Sequence, residues 1–363
     1  MRKISILIGF LSIAIIGFAN PADEGMWLPM LLKKLNGKDM KKAGLKISPD
    51  DIYNINKASL KDAIVWFNGG CTGEIVSEQG LILTNHHCGY DAIAGLSTVD
   101  DNILKNGWYA STLSEEKKAP NLFVAIMHKI EDVTAIVNFK MKDFTEEQKR
   151  LRFPAIAKEV ADSIVNGTHY KARVESYLKG NQFFVIIYER FDDIRLVGTP
   201  PESIGKFGGD TDNWIWPRQT GDFSVFRIYA SPDNKPAAFA PENLPYKPKK
   251  FLPVSLKGVK EGDFAMVYGF PGRTNRFETS YGIDLAVEKV NPAIVKLRQR
   301  RLEIWKEEMD KDPKVRLQLA SSYASIANYW KYFIGQTEQV KRLKVVDEKR
   351  AQEAKFIAWA QGK

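Results

Sequence analysis

A chain of 363 residues, 44% of them hydrophobic, can bury a sizeable core, and its length corresponds to about two domains. Its 53 basic residues are interspersed with 44 acidic ones, leaving a formal charge of +9. No basic block carries interleaved aromatics, which argues against a nucleic-acid partner.

At the amino terminus Arg2 and Lys3 precede an uncharged run over residues 4–18, and the small residues Gly17, Ala19 and Ala22 accompany its end. This is the pattern of a secretory signal peptide over residues 1–22. The run is short for a membrane span of ~20 residues, and no later run is long enough either. The expectation is a periplasmic or otherwise exported protein with no membrane contact after signal removal. Residues 23–60 are assigned no chemistry: an apolar, proline-interrupted stretch around Trp27 and Pro29 leads into a charged helix candidate, broken at Gly37 and Gly44.

Ala63-Ile64-Val65-Trp66-Phe67 reads as a buried strand running to Gly69-Gly70-Cys71. Ile75-Val76 and Leu81-Ile82-Leu83 then flank the turn residues Ser77-Glu78-Gln79-Gly80, a hairpin with Thr84-Asn85-His86-His87-Cys88 at its exit. Both cysteines of the chain and two of its four histidines lie in this stretch. A zinc site at His86-His87-Cys88 is disfavoured, because neighbours on an extended chain point to opposite faces. Two partly buried histidines beside a disulfide would be the purely structural alternative. The Thr-x-x-His-Cys tail resembles the histidine segment of chymotrypsin-like serine proteases, where a disulfide from the preceding strand holds the loop that carries the imidazole. With that resemblance, the oxidising compartment that export implies and no leftover thiol, a Cys71–Cys88 disulfide is expected.

Residues 91–112 read as loop and short helix, and 122–130 as a further apolar strand. Thr145-Glu146-Glu147-Gln148 opens a helix with a capping pattern, continuing to Val165 and ending at Asn166-Gly167. Strands resume over 183–188 and 194–197, so a β-rich body is interrupted by helix. The segment from Gly208 to Ser224 gathers Asp210, Asp212 and Asp222 with Trp214 and Trp216 before a strand over 223–229. Glycine turns capped by Asp, with tryptophans plugging a core, would account for it structurally. The functional alternative is that one aspartate orients the histidine. A catalytic imidazole needs a carboxylate on its other nitrogen; Asp222, at a strand start after a glycine, is favoured over Asp210 and Asp212.

The turn at residues 269–274 lacks the Lys-Ser/Thr of a phosphate loop. Asn291-Pro292 reads as the cap and first residue of a helix with Ile294, Leu297, Leu302, Trp305 and Met309 as its apolar stripe. Asp312-Pro313 repeats the device, and a third helix is expected from Gln336 to Trp359.

Several long strings resemble the bacterial exported dipeptidyl-peptidases of the dipeptidyl-peptidase 7 and 11 group. They are Asp23-Glu24-Gly25-Met26-Trp27, the stretch from Gly80 to Tyr90, Gly205-Lys206-Phe207-Gly208-Gly209-Asp210-Thr211-Asp212-Asn213-Trp214, Trp216-Pro217-Arg218 and the run to Phe226, and Ala327-Asn328-Tyr329-Trp330-Lys331. The resemblance implies a chymotrypsin-like serine exopeptidase with a helical domain inserted into a double β-barrel. On that basis residues 23–280 are the amino-terminal part of the peptidase domain, its first barrel, and 281–363 begin the α-helical domain. Carried over by position, His87 is the general base, Asp222 its orienting carboxylate, and Asn213, Trp214 and Asn328 help bind the substrate's free α-amino end. His86 is then a neighbouring packing residue. Oligopeptides with a free amino terminus are the implied partners, with no cofactor and no metal, and the full-length family allows a homodimer.

One departure stands out. The family's nucleophilic serine lies in a Gly-x-Ser-Gly segment near the far end of longer chains, and no such segment occurs here. Ser321, Ser322 and Ser325 sit on a helical pattern, while Ser224 and Ser280 lack flanking glycines that would free backbone N–H groups for an oxyanion hole. The chain therefore resembles an amino-terminal portion that carries the His and Asp of a triad and is inactive alone. The alternative is a catalytically silent exported peptide-binding protein. Amino-terminal sequencing of exported material should find a mature start between Asn20 and Asp23; an intact Met1 on exported protein would contradict the signal peptide.

Overall fold

Short runs of β-branched and aromatic residues make the centre of the molecule a sheet, and the computed structural model describes residues 26–272, 275 and 277–362. The expected signal peptide, residues 23–25 of the first family string, and 273 and 274 of the glycine-proline turn lie outside the described residues. The strands are β1 (Ile64–Phe67), β2 (Cys71–Ile75), β3 (Leu81–Thr84), β4 (Trp108–Tyr109), β5 (Lys117–Lys118) and β6 (Val124–Asp132). They continue as β7 (Lys171–Tyr177), β8 (Gln182–Phe191), β9 (Asp193–Thr199), β10 (Ser224–Ala230) and β11 (Leu244–Pro245). All eleven join one antiparallel sheet in the order β4-β9-β10-β3-β2-β1-β6-β8-β7, with β5 added to β9 and β11 to β10.

The sheet is strongly curled. On a flat sheet, strands three places apart lie about 14 Å from one another. Yet Phe67 on β1 and Phe226 on β10, with β2 and β3 between them, bring their ring centroids to 5.2 Å. Both are fully buried in a core with Ile75, Ile82, Ile194 and Ile228. No ladder joins the ends β4 and β7 among the described residues, so the expected barrel takes the form of a large, curled, open sheet in a mixed α and β fold.

Thr145 caps the Glu146–Val165 helix as its sequence predicts: its hydroxyl accepts from the Gln148 N–H at 3.3 Å, and its own N–H donates to Gln148 Oε1 at 3.0 Å. Ile156, Ala157, Val160 and Ala161 pack this helix onto Val174 of β7 and Phe183, Val185 and Ile187 of β8. Full burial of such an aliphatic side chain contributes roughly 1.5–3 kcal/mol, so packing rather than propensity holds the insertion in place.

Four sequence expectations change. The hairpin exit is not extended: a helix, His86–Leu96, starts at the first histidine. Asn291 is no cap, since the helical path begins at Ser280–Leu285 behind Thr279, whose hydroxyl accepts from the Gly282 N–H, and passes through a wide π-turn, Ala286–Val290, into Asn291–Lys311. Pro292 is accommodated directly after that wide turn. The Asn291 amide, buried, instead donates to Gln336 and Thr337. Leu297 of the expected stripe is exposed, while Leu302 and Met309 are buried. Asp312 caps Pro313–Arg342 as expected, and this helix runs past Gln336; the break falls at Leu343 and Lys344, before Val345–Gln361. Among the described residues no helix is long and apolar enough to cross a membrane.

Cys71 of β2 and Cys88 in the first turn of the His86–Leu96 helix are bridged across a sequence separation of 17. A loop of this size stabilises by roughly 3 kcal/mol in the chain-entropy account. Replacing both cysteines by serine should lower the urea unfolding free energy by about 2–4 kcal/mol relative to the oxidised protein; unchanged stability would mean that the bridge restrains nothing.

Candidate active site

The register of two strands builds the site. β3 and β10 pair with Thr84 opposite Ser224, so the residues following Thr84 and those preceding Ser224 emerge at the same end of the ladder. Asn85 stands at the N-cap of the His86–Leu96 helix, where its carbonyl accepts the buried Ser224 hydroxyl at 2.9 Å. Two residues before Ser224, the Asp222 carboxylate receives three donors. The backbone N–H of His87 reaches Oδ1 at 3.0 Å, His87 Nδ1 reaches Oδ2 at 2.7 Å, and the Asn85 amide reaches Oδ2 at 3.2 Å. Burial alone would raise the Asp222 carboxyl, but the hydrogen bonds and charge of His87 outweigh it and hold the group below the ordinary carboxylate value. An ionised carboxylate only accepts, so His87 Nδ1 carries a proton, and in the neutral imidazole Nε2 is then the acceptor. The His87 side chain is 68% exposed, its partner Asp222 23%.

The two histidines part company because they open a helix, on which neighbours lie about 100° apart. His87 turns outward, and His86 turns inward to 1% exposure. Its ring meets Tyr90 edge-on at 5.6 Å, and a Cβ on Gly205 would come within 2.5 Å of it, so only glycine lets that loop pass. Burial holds the His86 imidazole below its ordinary value, against opposing pulls from Asp222 and Glu202. Tyr90 donates to Glu202 Oε1 at 2.6 Å, fixing the next layer out. Side-chain atoms of Cys71, His87 and Cys88 lie within 4.8 Å of one another, but the sulfurs are joined in the disulfide and offer no thiolate to a metal.

Residues 205–221 leave the sheet and return to it. The Gly221 N–H donates to the Ile204 carbonyl at 3.0 Å, closing the excursion immediately before Asp222. At its far side the loop meets the Pro313–Arg342 helix. The Asn213 amide donates to Asn328 Oδ1 at 2.8 Å, the Trp214 indole N–H donates to the Asn328 carbonyl at 3.1 Å, and the Trp214 ring lies 5.2 Å from Tyr332. The structure thus brings together Asn213, Trp214 and Asn328, and separately His87 and Asp222. Asp210 and Asp212 make no hydrogen bond to His87 among the described residues; the Asp210 carbonyl is taken by Lys331. Ser224 and Ser280 are buried, the latter bonded to Glu353, and Ser321, Ser322 and Ser325 lie within the Pro313–Arg342 helix. No serine hydroxyl is hydrogen-bonded to His87 Nε2 among the described residues.

A sequence profile described as Peptidase S46 matches residues 22–363. The chain belongs to the peptidase S46 family. Within it, the chain is 49% identical over 345 residues to dipeptidyl-peptidase 7 of Capnocytophaga gingivalis, an alignment covering 93% of this chain and 48% of the relative. It is 46% identical over 335 residues to an Asp/Glu-specific dipeptidyl-peptidase of the same organism, covering 92% and 47%. The crystal structure of Porphyromonas endodontalis DPP11 in complex with the dipeptide Arg-Glu superposes with a TM-score of 0.89 at 41% identity, covering 94% of this chain and 50% of that one. The chain therefore spans about half the length of these S46 relatives.

Asn85, Glu202 and Gly205 were missed as site residues by sequence reasoning. Asn85 adjoins the histidines and precedes a helix, which is the signal that it caps or braces; Glu202 carries no such signal. The buried His86 generates a pH dependence. The unfolded chain binds a proton at this residue below about pH 6.5, whereas the folded chain resists it. Its contribution is constant above that pH and is lost as the pH falls from there toward the depressed folded-state value. Urea midpoints measured at pH 7.5 and 5.5 should differ less in His86→Gln than in the parent; an identical pH response in the two would show that His86 titrates freely.

Proposed function

We propose that this chain supplies the histidine and aspartate of a serine dipeptidyl-peptidase, together with the subsite that holds the free amino terminus of its peptide substrate. The observation that carries this is the clamp on Asp222, one oxygen on the His87 backbone N–H at 3.0 Å and the other on Nδ1 at 2.7 Å. Such a carboxylate sets the tautomer and orientation of the imidazole and stabilises the imidazolium that forms in catalysis. The exposed Nε2 would take the proton of a serine hydroxyl as its oxygen attacks the scissile carbonyl carbon. It would return that proton to the departing amine.

Asn213, Trp214 and Asn328 serve the second half of the reading. Measuring two residues from an amino terminus requires oxygen acceptors for an ammonium and a wall beyond it, and amide oxygens with an indole face supply both. In this reading residues 1–22 are the signal peptide, residues 23–280 with their curled sheet are the first barrel of a chymotrypsin-like domain, and 281–363 open a helical domain. In this reading the serine is not among these 363 residues, and the names of the S46 relatives support oligopeptides cut two residues from a free amino end as the substrate class.

The full-length protein should cleave a dipeptidyl reporter with a free amino terminus and strongly reject its acetylated form. Acetylation removes charge-assisted hydrogen bonds worth about 1.5–3 kcal/mol each. His87→Ala should lower kcat by a factor on the order of 10⁴ or more and Asp222→Asn by about 10⁴, with His86→Ala costing far less. Equal cleavage of both reporters would point to an endopeptidase, and tolerance of His87→Ala would remove the base from the mechanism.

A further inference from the structure

Asn328, Lys331 and Tyr332 follow one another at helical spacing along Pro313–Arg342 and so share one face of that helix. All three meet the same short piece of the 205–221 loop. Asn328 receives the Asn213 amide and the Trp214 indole, and Tyr332 lies beside the Trp214 ring. The Lys331 ammonium donates to the backbone carbonyls of Asp210 and Thr211.

Those carbonyls belong to the single helical turn Gly209–Asp212, which ends directly before Asn213. The last carbonyls of a helix have no donor within the helix, and a lysine from elsewhere can supply one. Immediately after this turn Trp214 holds φ at 64°, a left-handed conformation that a bulky side chain keeps only where its surroundings over-determine it.

We propose that Lys331 is a positioning residue for the amine-binding subsite: by tying the carbonyls of 210 and 211 to the helix, it fixes the turn from which Asn213 and Trp214 reach Asn328. This rests on the exopeptidase reading above. Lys331 acts through the loop and touches neither the acid–base pair nor the reacting atoms. Its loss therefore weakens the hold on the amino terminus while leaving the His87–Asp222 chemistry in place.

The test uses the full-length protein, steady-state kinetics on free and acetylated dipeptidyl reporters, and thermal unfolding of each variant. Lys331→Met keeps the unbranched apolar stem and removes the donors. It should raise KM for the free-amine reporter about tenfold or more, hold kcat within about threefold, and narrow the preference for the free over the acetylated reporter. Lys331→Arg, which restores a cation able to donate to both carbonyls, should recover most of the lost KM at an unchanged unfolding midpoint. If Lys331→Met does not accumulate as folded protein, Lys331→Leu, which likewise has no donor, carries the same test. A parental KM and preference in Lys331→Met would overturn the proposal while the exopeptidase reading stood. A loss confined to kcat would overturn it equally. A parent that cleaves both reporters alike would overturn the exopeptidase reading and the role of Lys331 with it.

Discussion

The pairing of Thr84 with Ser224 is the constraint from which the site follows. It joins the end of one strand to the start of another, far away in sequence, at the same end of the ladder. Asn85, His87 and Asp222 then lie within hydrogen-bonding reach with no further adjustment. A register slip of one residue would turn the buried faces of β3 and β10 to solvent, so the apolar core enforces the register and the register places the polar pair. The buried hydroxyl of Ser224 bonds to Asn85 at the same point, which ties the start of the histidine helix to the ladder. The disulfide makes a second tie, from that helix to β2.

Two devices thus meet on one excursion of chain. At its root, where Gly221 closes on Ile204, the loop delivers Asp222 to His87. At its tip, Asn213 and Trp214 reach the Pro313–Arg342 helix. The first device belongs to the sheet and takes its rigidity from backbone ladders. The second belongs to a junction between loop and helix, held by side-chain amides, an indole and an ammonium, and among the described residues it has no ladder behind it.

Much of this was legible in the sequence where local chemistry and tertiary packing agree. The Thr145 and Gln148 capping pair marked the start of its helix, Asp312 marked another, and the apolar runs Ile75-Val76 and Leu81-Ile82-Leu83 on either side of their turn marked the hairpin. Legibility failed where a distant partner decided the outcome. The helix from His86 to Leu96 contains Gly89 and Gly95, poor helix formers, and it persists because Gly89 packs against Phe226 and the Ser224 hydroxyl at distances where a Cβ would clash. Asn291 has the profile of a cap, yet its amide bonds to Gln336 and Thr337, partners that proximity in sequence could not suggest. His87 and Asp222 were found through family strings and the chemistry of imidazoles, whereas Asn85 and Lys331 act through contacts that only the assembled loop and helix create.

The contact between Gly205 and His86 has a consequence for how this sequence can drift. The imidazole occupies the space that any side chain at 205 would need, so the two positions share a fixed volume. Enlargement at 205 demands reduction at 86, and a smaller residue at 86 in turn removes the edge-on partner of Tyr90. Neither position is therefore free to vary alone. A substitution tolerated at one of them in a related chain would carry over to this one only together with its companion.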